Sequence, residues 1–255
     1  MTKNAIIVGG TGHLGISLSN LLLKKDYNVF VTTRKKKIKF KNKFKKKLKF
    51  IKLNIYNKIE IKKIIKQTNP SIIFYFAGQS RPEISFNKKK ETFNSNVIGC
   101  KNFLEGIKNF NQNCKFVNSA SSEMYGHIKG RINFDTNKNP VNPYGYAKAF
   151  AFDLTKKYRN QFNLKFYNAI IFNTESIYRK KNHLIPKICL AALKAKKNKK
   201  ITTFGNLNIS REWNWADDQM KYLLKFINKV PQDFILSNGK NFKAKDMLKY
   251  AFKYF

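Results

Sequence analysis

A doubly wound α/β fold is predicted for this 255-residue chain: a parallel sheet covered by helices on both faces, with a smaller, shortened lobe towards the C-terminus. Three observations predict it. Short apolar runs alternate with segments of helical period through the first two-thirds, the pattern of buried strands joined by crossover helices. A glycine triplet, Gly9, Gly12 and Gly15, lies between the first apolar run and the first helical one, where such folds turn to meet a phosphate. From Arg179 onward the rhythm loosens into a lobe threaded back and forth to the main one.

In order along the chain, Ala5–Val8 is the first strand, a short apolar run that reads as buried. A helical period follows over 14–25, then strands at Val29–Thr33 and Leu48–Leu53, and a helix over 57–66. Ser71–Phe76 is the fourth strand and 92–109 the next helix, on which Phe93, Phe103 and Phe110 recur at helical spacing and read as core. Lys115–Ser119, a helix over 144–162 and Phe166–Phe172 complete the repeat. Beyond Arg179 the expectation is a helix at 184–197, a short strand at 200–204, a polar segment to Trp215, a helix over 216–229, a strand at 234–236 and a helix over 243–253. The domain reading is a Rossmann-like cofactor domain over 1–176, with a returning segment at about 210–240, and a partial substrate lobe over 177–255.

Charge narrows the class of partner. Lys and Arg number 52 against 14 Asp and Glu, a formal charge of +38. Only six of the 52 are Arg (34, 81, 131, 159, 179 and 211), and the lysine excess comes with Asn, Ile, Phe and Tyr, whose codons are rich in A and T. Nucleic-acid binders usually mix in Arg and cluster charge on one face. The charge therefore reads as base composition rather than as a nucleic-acid groove, although the run from Lys35 to Lys49 is a basic patch. Cys100, Cys114 and Cys189 fit neither a metal cluster nor a disulfide framework, and the three His are scattered; no metal is expected. With no apolar stretch long enough for a signal core or a membrane span, the expected setting is the reduced cytoplasm.

The glycine triplet carries its own chemistry. Gly9 permits the tight turn, Gly12 lets backbone N–H groups approach a pyrophosphate, and Gly15 lets the helix pack close, while the helix N-terminus favours negative charge. The second strand ends Val31-Thr-Thr-Arg34-Lys35, with no acid to accept from a ribose 2′-hydroxyl and an Arg suited to a 2′-phosphate. NADP is expected over NAD. Asn54, at the end of the third strand, reads either as a contact to the adenine edge or as a solvated strand end.

Tyr144 and Lys148 stand four apart at the start of an apolar helix, so phenol and ammonium share one face. A free Tyr titrates at about 10 and is a poor base at neutral pH. A neighbouring cation is expected to favour the phenolate. Ser121, Ser122 and Glu123 follow the fifth strand, at the carboxyl edge where doubly wound sheets bind ligands. The hydroxyls can hold a substrate oxygen beside Tyr144, and Glu123 is a candidate acid or base.

These residues resemble the extended short-chain dehydrogenase/reductase superfamily and, within it, the GDP-mannose 4,6-dehydratase family. The resemblance runs from about residue 4 to 253. It is carried by Phe76-Ala77-Gly78-Gln79-Ser80 with Ser85-Phe86, by Asn94-Ser-Asn96-Val-Ile-Gly99, by Asn173-Thr174-Glu175-Ser176 with Arg179, and by Gly205-Asn206 with Arg211-Glu212-Trp213. It implies Ser121, Glu123, Tyr144 and Lys148 as the catalytic group. Tyr144 would take the proton of the sugar 4-OH as hydride leaves C4, and Glu123 would remove the C5 proton and release the C6 hydroxyl as water. Hydride would then return to C6, with Ser121 bonding O4 and Lys148 holding the nicotinamide ribose. It further implies NADP contacts at Thr11, His13, Leu14, Arg34, Asn54, Ile55, Phe76, Ala77, Gly78, Gln79, Thr174 and Arg179, besides the glycines. Substrate contacts are implied at Ser80, Ser85, Ser122, Asn173 and Arg211, with a nucleotide sugar such as GDP-mannose as substrate and a homodimer as assembly.

The chain departs from the family pattern at several places. Ser121 replaces a Thr, Thr174 a His, Tyr178 an Arg and Glu91 an aromatic; Lys180-Lys181-Asn182 replaces a glycine turn, and the loop after Arg34 is shortened, which weighs against a tetramer. The family also continues past Phe255, so a weaker hold on the nucleotide is expected. Two other readings stand beside the dehydratase. A reductase or epimerase of a related nucleotide sugar would need only Tyr144 and Lys148 for its hydride step. A non-catalytic cofactor-binding relative would need neither.

Overall fold

The structure, a computed structural model, describes residues 3–34, 45–128, 130–198 and 201–255. Most of the basic run after Arg34 lies outside the described residues. The first half gives β1 (Asn4–Val8), α1 (His13–Lys24), β2 (Asn28–Thr33), β3 (Leu48–Lys52), α2 (Lys58–Thr68), β4 (Ile72–Tyr75), α3 (Pro82–Ser85), α4 (Lys89–Phe93), α5 (Gly99–Phe110) and β5 (Lys115–Ser121). The second half gives α6 (Pro143–Phe162), β6 (Phe166–Ile171), β7 (Thr174–Glu175), α7 (Leu184–Asn198), β8 (Ser210–Glu212), β9 (Asn214–Trp215), α8 (Ala216–Phe226), β10 (Asp233–Leu236), β11 (Asn241–Lys243) and α9 (Ala244–Tyr254).

Seven strands form one sheet in the order β10-β6-β5-β4-β1-β2-β3, and every neighbouring pair is parallel. Strand order reverses between β1 and β4, so the crevice outside their carboxyl ends is the natural ligand position. The side-chain period of two sends Ala5 and Ile7 into the core under α1 and α8, and Ile6 and Val8 into the core under α2 and α5. The strand at 234–236 belongs to this sheet, as β10 on β6. It is fastened there by Arg159, which donates to both carboxylate oxygens of Asp233 at 2.7 and 3.2 Å, and by Asn168 at 2.9 Å. A bidentate, largely buried pair of this kind registers the edge strand as well as attracting it.

The predicted helix over 92–109 begins earlier and is interrupted. Between α4 and α5 a π-helical turn spans Asn94–Ile98. Its cause lies in β4: the buried Tyr75 hydroxyl donates to the Ser95 carbonyl at 2.7 Å, and a Cβ on Gly99 would lie 2.2 Å from that hydroxyl. The helix widens around the phenol, a device often found at functional sites. Only Phe103 of the three spaced phenylalanines is core. Phe93 is 41 % exposed and meets Phe150 edge-on, and Phe110 is 38 % exposed beneath the ammoniums of Lys62 and Lys66.

The smaller lobe packs α7 against α9 through Ile188, Ala192 and Ala251. The strand predicted at 200–204 is corrected: 201–204 is irregular, and Ile201 is 94 % exposed. The ladder of this lobe is instead β8 with β11, antiparallel, drawn from within and beyond the polar segment. Glu212 secures it from beneath, accepting from Asn214 and Ser237 side chains at 2.8 Å and from the Asn238 amide at 2.6 Å. Among the described residues no helix is long and apolar enough to cross a membrane.

Candidate active site

The glycine turn builds an open cradle. Gly9 has φ +76°, and a Cβ there would lie 2.7 Å from the backbone N and Cα of Ala77, so the turn after β1 nearly touches the strand exit after β4. Gly15 is needed for a different contact than packing on the sheet: its Cβ would lie 2.4 Å from the Cα of Gly10, within the turn itself. Gly12 caps α1 with no side-chain oxygen, and no acid occupies the first turn. The first N–H groups of α1 are thus left for an external anion, and the helix end is positive. This cradle fits a dinucleotide pyrophosphate. Gly15→Ala is expected to lose about 1–3 kcal/mol of stability through overpacking against that backbone, read as a lowered thermal midpoint.

Three elements converge on the catalytic candidates. β5 delivers Ser119 and Ser121, a 3₁₀ turn over Ser122–Tyr125 delivers Glu123, and the first two turns of α6 deliver Tyr144 and Lys148. Asn142 joins the last two. Its Oδ1 accepts from the Gly145 amide at 2.8 Å as the N-cap of α6, while its Nδ2 donates to Glu123 Oε2 at 2.9 Å. Gly145 permits the approach, since a Cβ there would sit 2.5 Å from the Glu123 carbonyl oxygen. Neither residue was singled out in the sequence. Asn142 before Pro143 carried the signal, an N-cap residue ahead of a proline in the first turn.

The electrostatics differ from expectation at one point. Burial pushes the Tyr144 phenol up to about 12, against lowering by a hydrogen bond with Ser121 and by the charge of Arg179; the Glu123 carboxylate raises it further. The Lys148 ammonium bonds Ser119 rather than the phenol itself. It donates to the Ser119 carbonyl at 2.7 Å and to Ser119 Oγ at 3.3 Å, and stands 5.7 Å from the Tyr144 ring centroid. Burial lowers its own pKa to about 8. The cation is therefore held under the phenol by Ser119, a position the sequence did not reveal.

On the facing wall, Arg179 Nη1 donates to His13 Nε2 at 2.7 Å and its Nε lies 3.7 Å from Glu175. Burial, then Arg179 and His183, lower the pKa of His13 to about 3, so its ring is neutral. With Nε2 accepting, the proton sits on Nδ1, 3.4 Å from Ser176 Oγ. Burial raises the Glu175 carboxyl to about 6 despite Arg179.

His13, Ser119, Arg179 and the catalytic candidates face one cleft of about 860 Å³, within the range of ligand pockets. Gly9, Thr11, Gly12, His13, Leu14, Gly15, Arg34, Asn54, Ile55, Phe76, Ala77, Gly78, Gln79, Ser80, Asn173, Thr174 and Arg179 line it with the four catalytic candidates. Three residues fall outside this lining. Ser85 is fully buried and bonds the Pro82 carbonyl, Ser122 opens the 3₁₀ turn, and Arg211 is exposed on β8 with Nη1 on the Ser210 carbonyl. Some lining side chains are already engaged: Asn54 Oδ1 accepts from the Tyr56 amide at 3.1 Å, the Thr174 hydroxyl lies between Phe172 O and Gln219, and Gln79 Nε2 donates to the Arg81 carbonyl at 2.8 Å while its Oε1 accepts from the Arg81 amide.

A parallel sheet of this order, with a phosphate turn and a Tyr–Lys helix at one switch point, is the architecture of the extended short-chain dehydrogenases/reductases. Solved structures agree on the fold: the dTDP-glucose 4,6-dehydratase of Bacillus anthracis, in complex with NAD, superposes with a TM-score of 0.82 at 21% identity, covering 99% of this chain and 80% of that one. Within that class the chain belongs to the GDP-mannose 4,6 dehydratase family, whose model matches residues 6–255. The GDP-mannose 4,6 dehydratase of Drosophila melanogaster is 29% identical over 99% of this chain and 68% of its own. That of Homo sapiens is 28% identical over 97% of this chain and 71% of its own.

Proposed function

We propose that this chain is a nucleotide-sugar 4,6-dehydratase that converts GDP-mannose to GDP-4-keto-6-deoxymannose with NADP as resident cofactor. The observation that carries the reading is Glu123 beside Tyr144 in one cleft, held by Asn142. A simple hydride transfer needs the phenol alone, whereas loss of water needs a second group to move a proton between carbon and oxygen. When bound, the nicotinamide supplies a reversible hydride acceptor, so that oxidation at C4 and reduction at C6 cancel. Tyr144 accepts the proton of O4, with Ser121 bonding the same oxygen and Lys148 stabilising the phenolate. Glu123 then takes the C5 proton, and the C6–O6 bond breaks as that proton is delivered to O6, which departs as water; as C6 is reduced, Tyr144 returns its proton to C5, which restores both the product and the phenolate. The balance is one water per turnover. Residues 1–176 with the returning segment at about 210–240 would hold the cofactor, 177–255 the sugar side, and a homodimer is the assembly the resemblance supports.

NADP is favoured over NAD by the end of β2, where Arg34 lines the cleft and no acid stands. Arg34→Ala is expected to weaken NADP⁺ by about tenfold or more while leaving NAD⁺ nearly unchanged, as loss of a charged phosphate contact requires. Equal affinity of wild type for both would refute the 2′-phosphate reading. The activity itself is tested by mass spectrometry of GDP-mannose incubated with protein and catalytic NADP⁺. A product lighter by one water supports the dehydratase; an unchanged mass with cofactor bound moves the reading to a reductase of the 4-keto sugar.

A further inference from the structure

We infer that Ser119 is a positioning residue for the reaction: its hydroxyl, locked as an acceptor by the Tyr75 carbonyl, seats the Lys148 ammonium beneath the Tyr144 ring and keeps it charged. The turnover part of this inference rests on the proposed dehydratase activity; the seat itself does not. Ser119 lies on β5, beside β4, with Tyr75 opposite Asn118. Its Oγ donates to the Tyr75 carbonyl at 2.9 Å. A hydroxyl has one proton, so the lone pairs of Oγ are what remain for Lys148 Nζ, 3.3 Å away. The Ser119 carbonyl takes a second ammonium proton at 2.7 Å. Among the described residues these two oxygens are the hydrogen-bond partners of the Lys148 side chain, which is buried.

The two acceptors are not equivalent. The carbonyl belongs to the strand and survives any substitution; the hydroxyl is the part that the side chain adds. Its direction is fixed from behind, because Tyr75 is held at both ends: its carbonyl by Ser119, and its hydroxyl by the Ser95 carbonyl of the π turn at 2.7 Å. Burial works against the ammonium and lowers its pKa to about 8. An acceptor with a fixed lone pair opposes that loss, since a hydrogen bond to the charged form favours it. The surroundings supply little other help. Cys100 from α5 and Tyr75 from β4 are pushed up by burial, the thiol to about 12, so both stay neutral where Lys148 titrates. Tyr144 stands on the same helix, and Glu123 and Arg179 act on that phenol with opposite signs. Glu83, Glu91 and Glu105, on α3, α4 and α5, are each paired with a cation, Arg81, Lys88 and Lys101. Ser119 is thus the neutral group that decides how long the cation lasts as pH rises. No motif marks it, and the resemblance gives it no role.

The test compares wild type, Ser119→Ala, Lys148→Met and Ser119→Ala/Lys148→Met, with urea unfolding and GDP-mannose turnover each followed from about pH 6 to about pH 10. The difference in stability between each lysine protein and its Met counterpart isolates Lys148 from the other titrating groups. With Ser119 that contribution is expected to rise from about pH 8. With alanine it should rise from about pH 7, a displacement of about one pH unit. That is the low end for a bond to a charged group, in keeping with its 3.3 Å length. Turnover of Ser119→Ala should match wild type near about pH 6, then fall about twofold below it at about pH 7 and about tenfold at about pH 9, as the ammonium fraction dictates. In the Lys148→Met background the serine substitution should change turnover by less than about twofold, because it acts through the lysine. An unmoved onset of stability, an unmoved alkaline limb, a turnover loss that is the same at every pH, or an equal loss in both backgrounds would each overturn the seat. A displaced onset in a protein that leaves GDP-mannose untouched would support the seat and count against the proposed activity. Neither displacement nor turnover would count against both.

Discussion

Glu123→Gln is expected to cut the loss of water from GDP-mannose by about a hundredfold to ten-thousandfold, the range of a positioned acid–base group. The substitution is close to isosteric, and its amide oxygen can still accept from Asn142 Nδ2, which bonds Glu123 Oε2 at 2.9 Å in the wild type. The N-cap of α6 and the placement of Tyr144 therefore survive. What is removed is the capacity to take the C5 proton and hand it to O6. Because Tyr144, Ser121 and Lys148 are untouched, oxidation at C4 remains open, and the variant should accumulate reduced cofactor on mixing with substrate instead of product. Single-turnover absorbance of the nicotinamide, followed beside the mass of the sugar nucleotide, separates the two halves of the reaction. Water loss at the wild-type rate would remove Glu123 from the mechanism. Absence of both signals, with the variant folded, would instead point to damage at the phenol.

Much of the main sheet was legible because it is locally encoded. Each strand from Ala5 to Phe172 is a short apolar run, and the glycine triplet marks the first turn by composition alone. The Tyr144–Lys148 pair was legible through helical spacing. What escaped the sequence depends on contacts between distant segments. The ladder of β8 with β11 pairs Ser210 with Lys243 and has no local signature. The π turn exists because the Tyr75 hydroxyl on β4 needs space beside Gly99. The pKa of Tyr144 was misread for the same reason: spacing revealed the cation, but burial and the diversion of Lys148 to Ser119 are tertiary facts. Arg211 stands in the right motif for a phosphate contact, yet β8 carries it outside the cleft lining.

Lys148→Met is expected to lower turnover by about a hundredfold or more with little loss of stability at neutral pH. Burial depresses the Lys148 pKa from 10.5 to about 8, so the folded protein disfavours the ammonium relative to the unfolded chain. For a base lowered in this way the penalty is fully present below pH 8, shrinks between 8 and 10.5, and is absent above. A drop of that size corresponds to about 3 kcal/mol. Met fills similar volume without the charge and relieves the penalty. Against this, the Ser119 carbonyl loses its donor, at a cost of about 1–3 kcal/mol. The two nearly cancel, so the thermal midpoint at pH 7 should hardly move, while the rise in wild-type stability contributed by Lys148 between pH 8 and 10 should vanish in the variant. Activity behaves oppositely. Tyr144, pushed up to about 12, needs every nearby positive charge to reach its phenolate, and Lys148 is the cation beneath its ring. Wild-type turnover should therefore fall as pH passes about 8 and the ammonium is lost, and that alkaline limb should be missing from the variant's lower profile. A variant that melts far below wild type yet keeps the limb would show Lys148 to be a structural strut rather than the charge that drives proton transfer.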